Sequence, residues 1–440
     1  MYRGKDRKTI PLFSELFPFG GKLDIENRWI KIAGLIPWDQ LENKYRSYFS
    51  EKGRPSLDGR LVLGMLLLKH MTRLSDEEIV RAVTENPYMQ WFCGLESFTT
   101  ASMIDSSSLS KIRKRVGAKY FAALEDETYR VLIERKIIRG KGMLVDATVF
   151  PEYVRYPTDT GLLNEAREWV VKEIKGLGKA VGEKVRTYYR KAKREYLNFS
   201  KKKQRSRKVI QKMRKSLLQH LRRNIKQIEV LIDKAKQQGE KVAQKVHDGL
   251  TIVRKVYEQQ LHMYKKKVNR IEDRIVSIHR PWTRPIVRGK SGGKEVEFGP
   301  KATLSYVDGL VMLDHIASDN FSEAHRVAAQ IEQYERFFGH KPPSITADNI
   351  YGNRENRTLL KEEGIRSAFK PLGRKAHNHS TADKWYKNKQ RERNRIEGSF
   401  GHGKNHCGLD KIKYYIKEGP EIWVRLGLLG MNLRTAVKRI

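Results

Sequence analysis

Cysteine and long apolar runs are scarce in this chain of 440 residues, and acidic residues are outnumbered by basic ones. Its two cysteines, Cys93 and Cys407, are too few for a disulfide framework or a zinc site of four thiolates. No apolar run is long enough to span a bilayer, and the start MYRGKDRKTIPLF lacks the apolar core of a signal peptide. These absences predict a cytoplasmic protein with free thiols and no membrane partner.

Positive charge is what the chain has in excess. It contains 89 Lys and Arg against 51 Asp and Glu, a formal net charge of +38. Such an excess attracts polyanions and favours salt-sensitive binding through counterion release, so nucleic acid is the expected partner. Hydrophobic residues make up 39% of the chain, which is enough for two or three domain cores and argues against a disordered basic tail.

Residues 1–135 have the pattern of an all-helical domain. The run LDGRLVLGMLLLKHM predicts an apolar helix, Ser75 and Glu78 have the spacing of a capping box, and Asp105 to Ser108 can cap a short basic helix, LSKIRKRVG. Several short helices that end in a basic one are typical of DNA-binding bundles, and we expect this helix to bind DNA through Arg113, Lys114 and Arg115. The alternative is a bundle that only supports its neighbour.

Residues 136–162 contain KGMLVDATVF, a short apolar run that predicts a buried strand around one acid, Asp146. Burying an unpaired carboxylate costs several kcal/mol unless a cation or hydrogen bonds compensate. Asp146 is therefore a candidate functional residue.

Residues 163–280 form a basic segment with helical periodicity. Apolar residues recur every three or four positions in two runs, Leu217, Leu221, Ile225, Ile228, Ile232 and Ala235, and then Val246, Leu250, Val253, Tyr257, Leu261, Tyr264, Val268, Ile271 and Ile275. This spacing predicts an antiparallel coiled-coil hairpin with arms on the order of 50 Å long. The preceding lysines, Lys201, Lys202 and Lys203, either contact DNA or belong to a solvated face.

Residues 281–440 alternate strand and helix. Two apolar runs joined at Asp308-Gly309 predict a β-hairpin, and a helix from Ser322 follows. The strand in SITADNIYGN ends on a second acid, Asp348, and a last helix in RERNRIEGSFGHGKNH carries a third, Glu397. Without the 163–280 segment, the order is three antiparallel strands, a helix, a parallel return strand and closing helices.

In these motifs the chain resembles the DDE transposases of bacterial insertion sequences, and within them the insertion-sequence-five-like branch with a Tyr-Arg-Glu-Lys signature. Arg393 lies four positions before Glu397 and Lys404 seven after it, as in the signature, whereas the position of its tyrosine is occupied by Gln390. ADNIYGNREN around Asp348, with Tyr351, also resembles the family.

The resemblance implies an α/β fold: a ribonuclease-H-like core in residues 136–162 and 281–440, joined to the all-α domain and interrupted by the basic insertion. It implies that Asp146, Asp348 and Glu397 hold two Mg²⁺ ions, which Mn²⁺ can replace. The DNA-binding residues that it adds are Arg393, Arg395, Lys404 and Tyr351.

By the same resemblance, the protein acts at the bacterial nucleoid as a homodimer or higher oligomer on double-stranded DNA. It binds terminal inverted repeats, cuts them and joins the 3′-hydroxyl ends to target DNA. Two alternatives stay open: a ribonuclease-H-like nuclease without strand transfer, and a catalytically inactive DNA-binding protein derived from a transposase.

Overall fold

The computed structural model divides the chain into two compact units. One, the sheet unit, extends to residue 152 and resumes at residues 299–440; the other, the insertion unit, is residues 153–298. The structure describes residues 18–53, 55–290, 293–370 and 382–440, so the first 17 positions and Arg54 of the predicted N-terminal domain lie outside the described residues. The insertion unit begins earlier and ends later in the sequence than the predicted 163–280 segment.

Helices make up most of both units. Before the first strand they are α1 Arg28–Ala33, α2 Trp38–Arg46, α3 Gly59–Thr72, α4 Asp76–Glu85, α5 Pro87–Phe92 and α6 Ser106–Glu134. The insertion unit contributes α7 Asp159–Ala180, α8 Tyr189–Ser200, α9 Arg207–Gln237 and α10 Gln244–Lys266. The rest of the sheet unit adds α11 Val327–Phe338, α12 Arg354–Glu362, α13 Ala382–His406 and α14 Gly419–Ala436. No helix within these described ranges is both long and apolar enough to cross a bilayer.

The helix starts follow the local sequence. Ser75 and Glu78 form the predicted capping box at α4, and the Asp105 side chain accepts a hydrogen bond from the Ser107 amide at the start of α6. The predicted basic helix ends at Gly117, whose φ of +66° interrupts α6. There the Glu418 carboxylate accepts a hydrogen bond of 2.7 Å from the Ala118 amide, so a second helical stretch begins with its own cap.

The strands are β1 Met143–Val149, β2 Pro285–Lys290, β3 Gly293–Phe298, β4 Lys301–Val307, β5 Leu310–Ala317, β6 Ser344–Thr346 and β7 Arg366–Ser367. In the sheet unit the order is β5-β4-β1-β6-β7, in which β1, β4 and β5 are antiparallel neighbours and β6 and β7 run parallel to β1. The mixed α/β class and the hairpin at Asp308-Gly309 are confirmed. Strands β2 and β3 pair in the insertion unit.

The helices before β1 share a hydrophobic core with the sheet, so position 135 does not separate two cores. Helix α14 packs against α3, α6 and β5. Its Asn432 amide donates hydrogen bonds to the Tyr129 hydroxyl of α6 at 2.9 Å and to the Val311 carbonyl of β5 at 2.6 Å. Because a buried amide without partners would be costly, this contact holds helix and sheet in one register.

The insertion unit has its own core, but it is a helical bundle and not the predicted two-helix coiled coil. Helix α7 packs on both α9 and α10, which are joined by a turn at Gly239. Leu218 and Leu231 of α9 are buried beside the predicted seam, so the apolar stripe is too wide for one partner helix. Helix α10 ends at Lys266, and Val268 is exposed beyond it, so the predicted second arm was too long.

Candidate active site

The register of two parallel strands places the first two acids side by side. Leu144 of β1 pairs with Thr346 of β6, and Asp146 and Asp348 each lie two positions further along their chains. Side chains two apart on a strand point to the same face, so both acids emerge on one side of the sheet. Asp146 is partly buried, whereas Asp348, just past the end of β6, is exposed. Glu397 lies on α13, which packs against both β1 and β6.

The pKa of Asp146 is affected by both other acids. Burial, the largest cause, raises the pKa of its carboxyl to about 6, and the negative charges of Glu397 and Asp348 add to the increase. The Ala147 amide, which donates to Asp146 Oδ1 at 2.8 Å, and the Arg393 guanidinium act in the opposite direction. Glu397 and Asp348 are therefore each close enough to Asp146 for their charges to act on it, although the three residues belong to separate elements.

Two basic side chains of α13 accompany the acids. Arg393 forms an ion pair of 3.1 Å with Glu397, four positions later on the same helix face. Lys404 Nζ donates to the hydroxyl of Thr148 on β1 at 3.3 Å. Thr148 was not predicted as a site residue. The sequence could have indicated it, because it lies two positions after Asp146 and therefore on the same face of the strand.

The donors suit a hard divalent cation, because three carboxylates supply the oxygen ligands that Mg²⁺ prefers and their repulsion is relieved by positive charge. Their side chains are nevertheless engaged elsewhere: Glu397 with Arg393, and Asp348 with the Asn349 amide at 2.7 Å. Across the described ranges, no three His, Cys, Asp or Glu side chains form a cluster ready to hold a metal. Coordination therefore requires the carboxylates to turn toward one another.

Sequence comparisons identify the family. Residues 18–115 match the model described as a transposase domain (DUF772), and residues 345–434 match the transposase DDE domain. The uncharacterized protein ORF8 in the nfe locus of Rhizobium meliloti is 34% identical over 152 residues, which cover 34% of this chain and 73% of that protein. The chain belongs to the DDE transposases of bacterial insertion sequences. No solved structure matches it.

The DDE match of the transposase contains Asp348 and Glu397, and in the sequence the insertion unit lies between this match and Asp146. A DDE domain implies a ribonuclease-H-like core, and the antiparallel strands β1, β4 and β5 with the parallel strand β6 agree with the strand directions predicted from the sequence. Gln390, in the place of the signature tyrosine, donates a side-chain hydrogen bond to the Ala368 carbonyl.

Tyr351, which was predicted to bind DNA, is not accessible to DNA in this structure. Its side chain is fully buried, because a 3-10 turn at Asn349–Tyr351 directs it into the core. Burial, the Glu323 carboxylate and Asp146 all raise its pKa well above the ordinary value for tyrosine. Its hydroxyl has no hydrogen-bond partner within the described part of the chain. Tyr351 therefore packs beneath the acids and presents no surface to DNA.

Arg113, also predicted to bind DNA, is likewise inaccessible. It is buried and forms an ion pair of 2.5 Å with Asp76, and its guanidinium lies 4.1 Å from the Tyr414 ring centre. The reason is helical periodicity: Arg113 lies beside Ile112 and three positions before Val116, on the face of α6 that contacts the core.

The other predicted DNA-binding residues are accessible. Lys114 and Arg115 are exposed on α6, and the Arg115 guanidinium lies 4.6 Å from the ring centre of Phe49. Arg395 is exposed on α13, two positions before Glu397. Lys201, Lys202 and Lys203 are exposed after α8 in the insertion unit.

Proposed function

We propose that this transposase binds the terminal inverted repeats of its insertion sequence, cuts DNA at their ends and joins the freed 3′-hydroxyl to target DNA. The observation that carries the proposal is the ionisation of Asp146, whose pKa is raised to about 6 by burial and by two acids from distant segments. An ionised Asp146 beside two other acids opposes folding, and perturbed carboxyls of this kind are typical of functional sites.

Asp146, Asp348 and Glu397 are the side chains that would hold two Mg²⁺ ions, or Mn²⁺ in their place. When bound, such ions activate the attacking oxygen and stabilise the leaving oxygen at phosphorus. Arg393 favours the ionised form of Asp146 and holds Glu397 in place on α13. Lys404, anchored at Thr148, and the exposed Arg395 supply positive charge for the DNA phosphates beside the acids.

The distribution of charge supports double-stranded DNA as the partner. The insertion unit has 39 Lys and Arg against 15 Asp and Glu, a net +24 out of +38 for the whole chain. This excess in a unit with its own core fits a surface that holds transposon ends or target DNA, through groups such as Lys201, Lys202 and Lys203. A homodimer or higher oligomer on DNA and membership of the Tyr-Arg-Glu-Lys branch belong to the same proposal.

A catalytically inactive DNA-binding protein is the second candidate. The observation in its favour is the ion pair between Arg393 and the half-exposed Glu397, a pairing found on ordinary helix surfaces, where it contributes little stability. An assay with pre-cut DNA ends distinguishes a transposase from a nuclease without strand transfer. Only a transposase joins such ends to a second DNA.

Glu397→Gln tests the proposal. The protein is incubated with the DNA that flanks its gene and Mg²⁺, the cut ends are mapped, and affinity is measured in parallel without metal. We expect the variant to bind DNA as tightly as the unmodified protein and to cut none. Glu362→Gln on α12, an exposed acid outside the site, is the matched control and should cut normally. Cutting that persists in Glu397→Gln removes the assignment of this acid.

A further inference from the structure

The sheet unit has a cleft of about 880 Å³ near the first two acids. Leu144 of β1 and Thr346 of β6 line the cleft, and each lies two positions before an acid, Asp146 and Asp348. Two residues along a strand cover about 7 Å. The cleft therefore continues the surface of the acids toward the beginning of β1 and β6.

The lining of the cleft is strongly basic. Seven Lys and Arg side chains line it against two acids, Asp308 and Glu392. Four of the seven, Arg135, Lys136, Arg139 and Lys141, belong to the loop between α6 and β1 and are exposed. Neither acid offsets this loop by pairing with one of its side chains: Glu392 forms an ion pair of 2.9 Å with Lys389, and Asp308 accepts from backbone amides.

The loop is held in a defined conformation. Asp308 Oδ2, at the turn between β4 and β5, accepts hydrogen bonds from the Arg139 amide at 2.8 Å and the Gly140 amide at 2.9 Å. Gly140 has φ +69° and lies so close to the Tyr334 hydroxyl that a Cβ would come within 2.6 Å of it. Arg439 donates to the Ile137 carbonyl at 3.1 Å. A loop fixed by several neighbouring elements presents its positive charges at set positions instead of on a freely moving tail.

We propose that this cleft binds the sugar-phosphate backbone of the DNA strand that flanks the phosphate at the acids. The inference rests on the proposed function, because it takes DNA to pass over Asp146, Asp348 and Glu397. Spaced guanidinium and ammonium groups on a rigid frame match a row of phosphates, and such contacts position DNA without reading its sequence. The cleft thus sets where the strand lies relative to the acids.

Lysine acetylation of the full chain, with and without a double-stranded oligonucleotide from the flanking DNA, tests the cleft. EDTA is present throughout, so that no cutting occurs. Bound DNA should slow modification of Lys136 and Lys141 several-fold and leave Lys52 and Lys361 unchanged, since these two exposed lysines line no part of the cleft. Equal modification of Lys136 and Lys141 in free and bound protein overturns the proposal.

A matched pair of triple variants gives the second readout. Arg135→Gln with Arg139→Gln and Lys141→Gln should weaken DNA binding and reduce the slope of log affinity against log salt by about 0.9 for each phosphate that the variant no longer neutralises. Lys52→Gln with Lys361→Gln and Lys417→Gln removes the same charge outside the cleft and should leave the slope unchanged. Equal effects of the two triple variants contradict a cleft-specific interaction.

The double variant Arg135→Lys with Arg139→Lys keeps both positive charges and should bind DNA as tightly as the unmodified protein. It therefore separates an effect of lost charge from an effect of altered structure. The outcomes also distinguish the two proposals. Absence of protection at the loop, together with loss of cutting in Glu397→Gln, removes the cleft and keeps the catalytic acids. Protection at the loop, together with cutting by Glu397→Gln, keeps the DNA path and removes the assignment of that acid.

Discussion

At the scale of single residues, Asp146 shows how a proposed functional position conflicts with folding. Its carboxyl binds a proton more tightly in the folded chain, with a pKa of about 6, than in the unfolded chain, where the value is near 3.8. The ionised form is therefore disfavoured in the fold, and its cost appears as pH rises from about 4 to about 6 and persists above that range. Below about pH 4 the carboxyl is protonated in both states and the cost disappears.

Asp146→Asn should accordingly stabilise the metal-free protein at pH 7 by about 2 kcal/mol, a figure reduced for the partial exposure of the group, and have little effect near pH 4. Thermal unfolding across this pH range in EDTA measures the difference, with Glu362→Gln as an exposed control. A stabilisation that does not change with pH would show that burial and charge repulsion at Asp146 are not its source.

At the scale of elements, Asp76 connects three helices. From the first turn of α4 its carboxylate contacts Lys69 of α3 at 2.6 Å and Arg113 of α6 at 2.5 Å. Burial raises the pKa of Asp76, but the two cations outweigh burial and the net shift is downward. Burial also lowers the pKa of Lys69 to about 8. One acid thus compensates two largely buried positive charges.

Asp76→Asn should destabilise the sheet unit by about 3–5 kcal/mol, because it leaves both cations buried without their carboxylate. Glu77→Gln, the next residue in the same first turn, is exposed and should change the free energy of unfolding by only a few tenths of a kcal/mol, the usual size of an interaction with the helix dipole. Denaturant unfolding of both variants provides the comparison. Similar small effects in the two would mean that water replaces the buried ion pairs.

Two helix glycines report on packing within the insertion unit. A Cβ on Gly249 of α10 would overlap the Trp169 ring of α7, whereas a Cβ on Gly176 of α7 meets open space. Gly249→Ala should destabilise the unit by about 1–3 kcal/mol through overpacking, and Gly176→Ala should stabilise it by up to about 1 kcal/mol through helix propensity. Hydrogen exchange should place both changes within α7, α9 and α10. If both substitutions stabilised the unit, or both destabilised it, the close packing of α7 on α10 would be contradicted.

At the scale of the whole molecule, the two units differ in their cores and in their net charge. Each has its own hydrophobic core, and the insertion unit, with about a third of the residues, has well over half of the net positive charge. Under the proposed function the positive charges of the insertion unit contribute to DNA affinity and the acids of the sheet unit to cutting, so binding and cutting should respond to different substitutions.

Lys201→Glu with Lys202→Glu and Lys203→Glu should therefore lower DNA affinity and flatten its salt dependence. Affinity measured at several salt concentrations gives the slope, and cutting at saturating protein should stay normal, because the substitutions lie outside the sheet unit. Affinity and slope that remain unchanged would assign these exposed lysines to a solvated face.

The sequence by itself was sufficient for the elements whose signals are local. The capping box at Ser75, the turn at Asp308-Gly309 and the strands ending near acids are encoded by neighbouring residues, and the family match covers the residues around Glu397. Sequence also placed the basic insertion between Asp146 and Asp348, since its periodicity differs from that of the strands around it.

Only the tertiary structure decided which residues share a surface. It turned Tyr351 and Arg113 inward, added α7 to the predicted pair of helices, and joined the loop at Arg139 to the turn at Asp308 across more than 160 positions. The physical reason is that side-chain burial and charge pairing depend on contacts between distant segments, which a local pattern of polarity does not specify. The same contacts set the ionisation of Asp146, which the sequence could mark as unusual but could not explain.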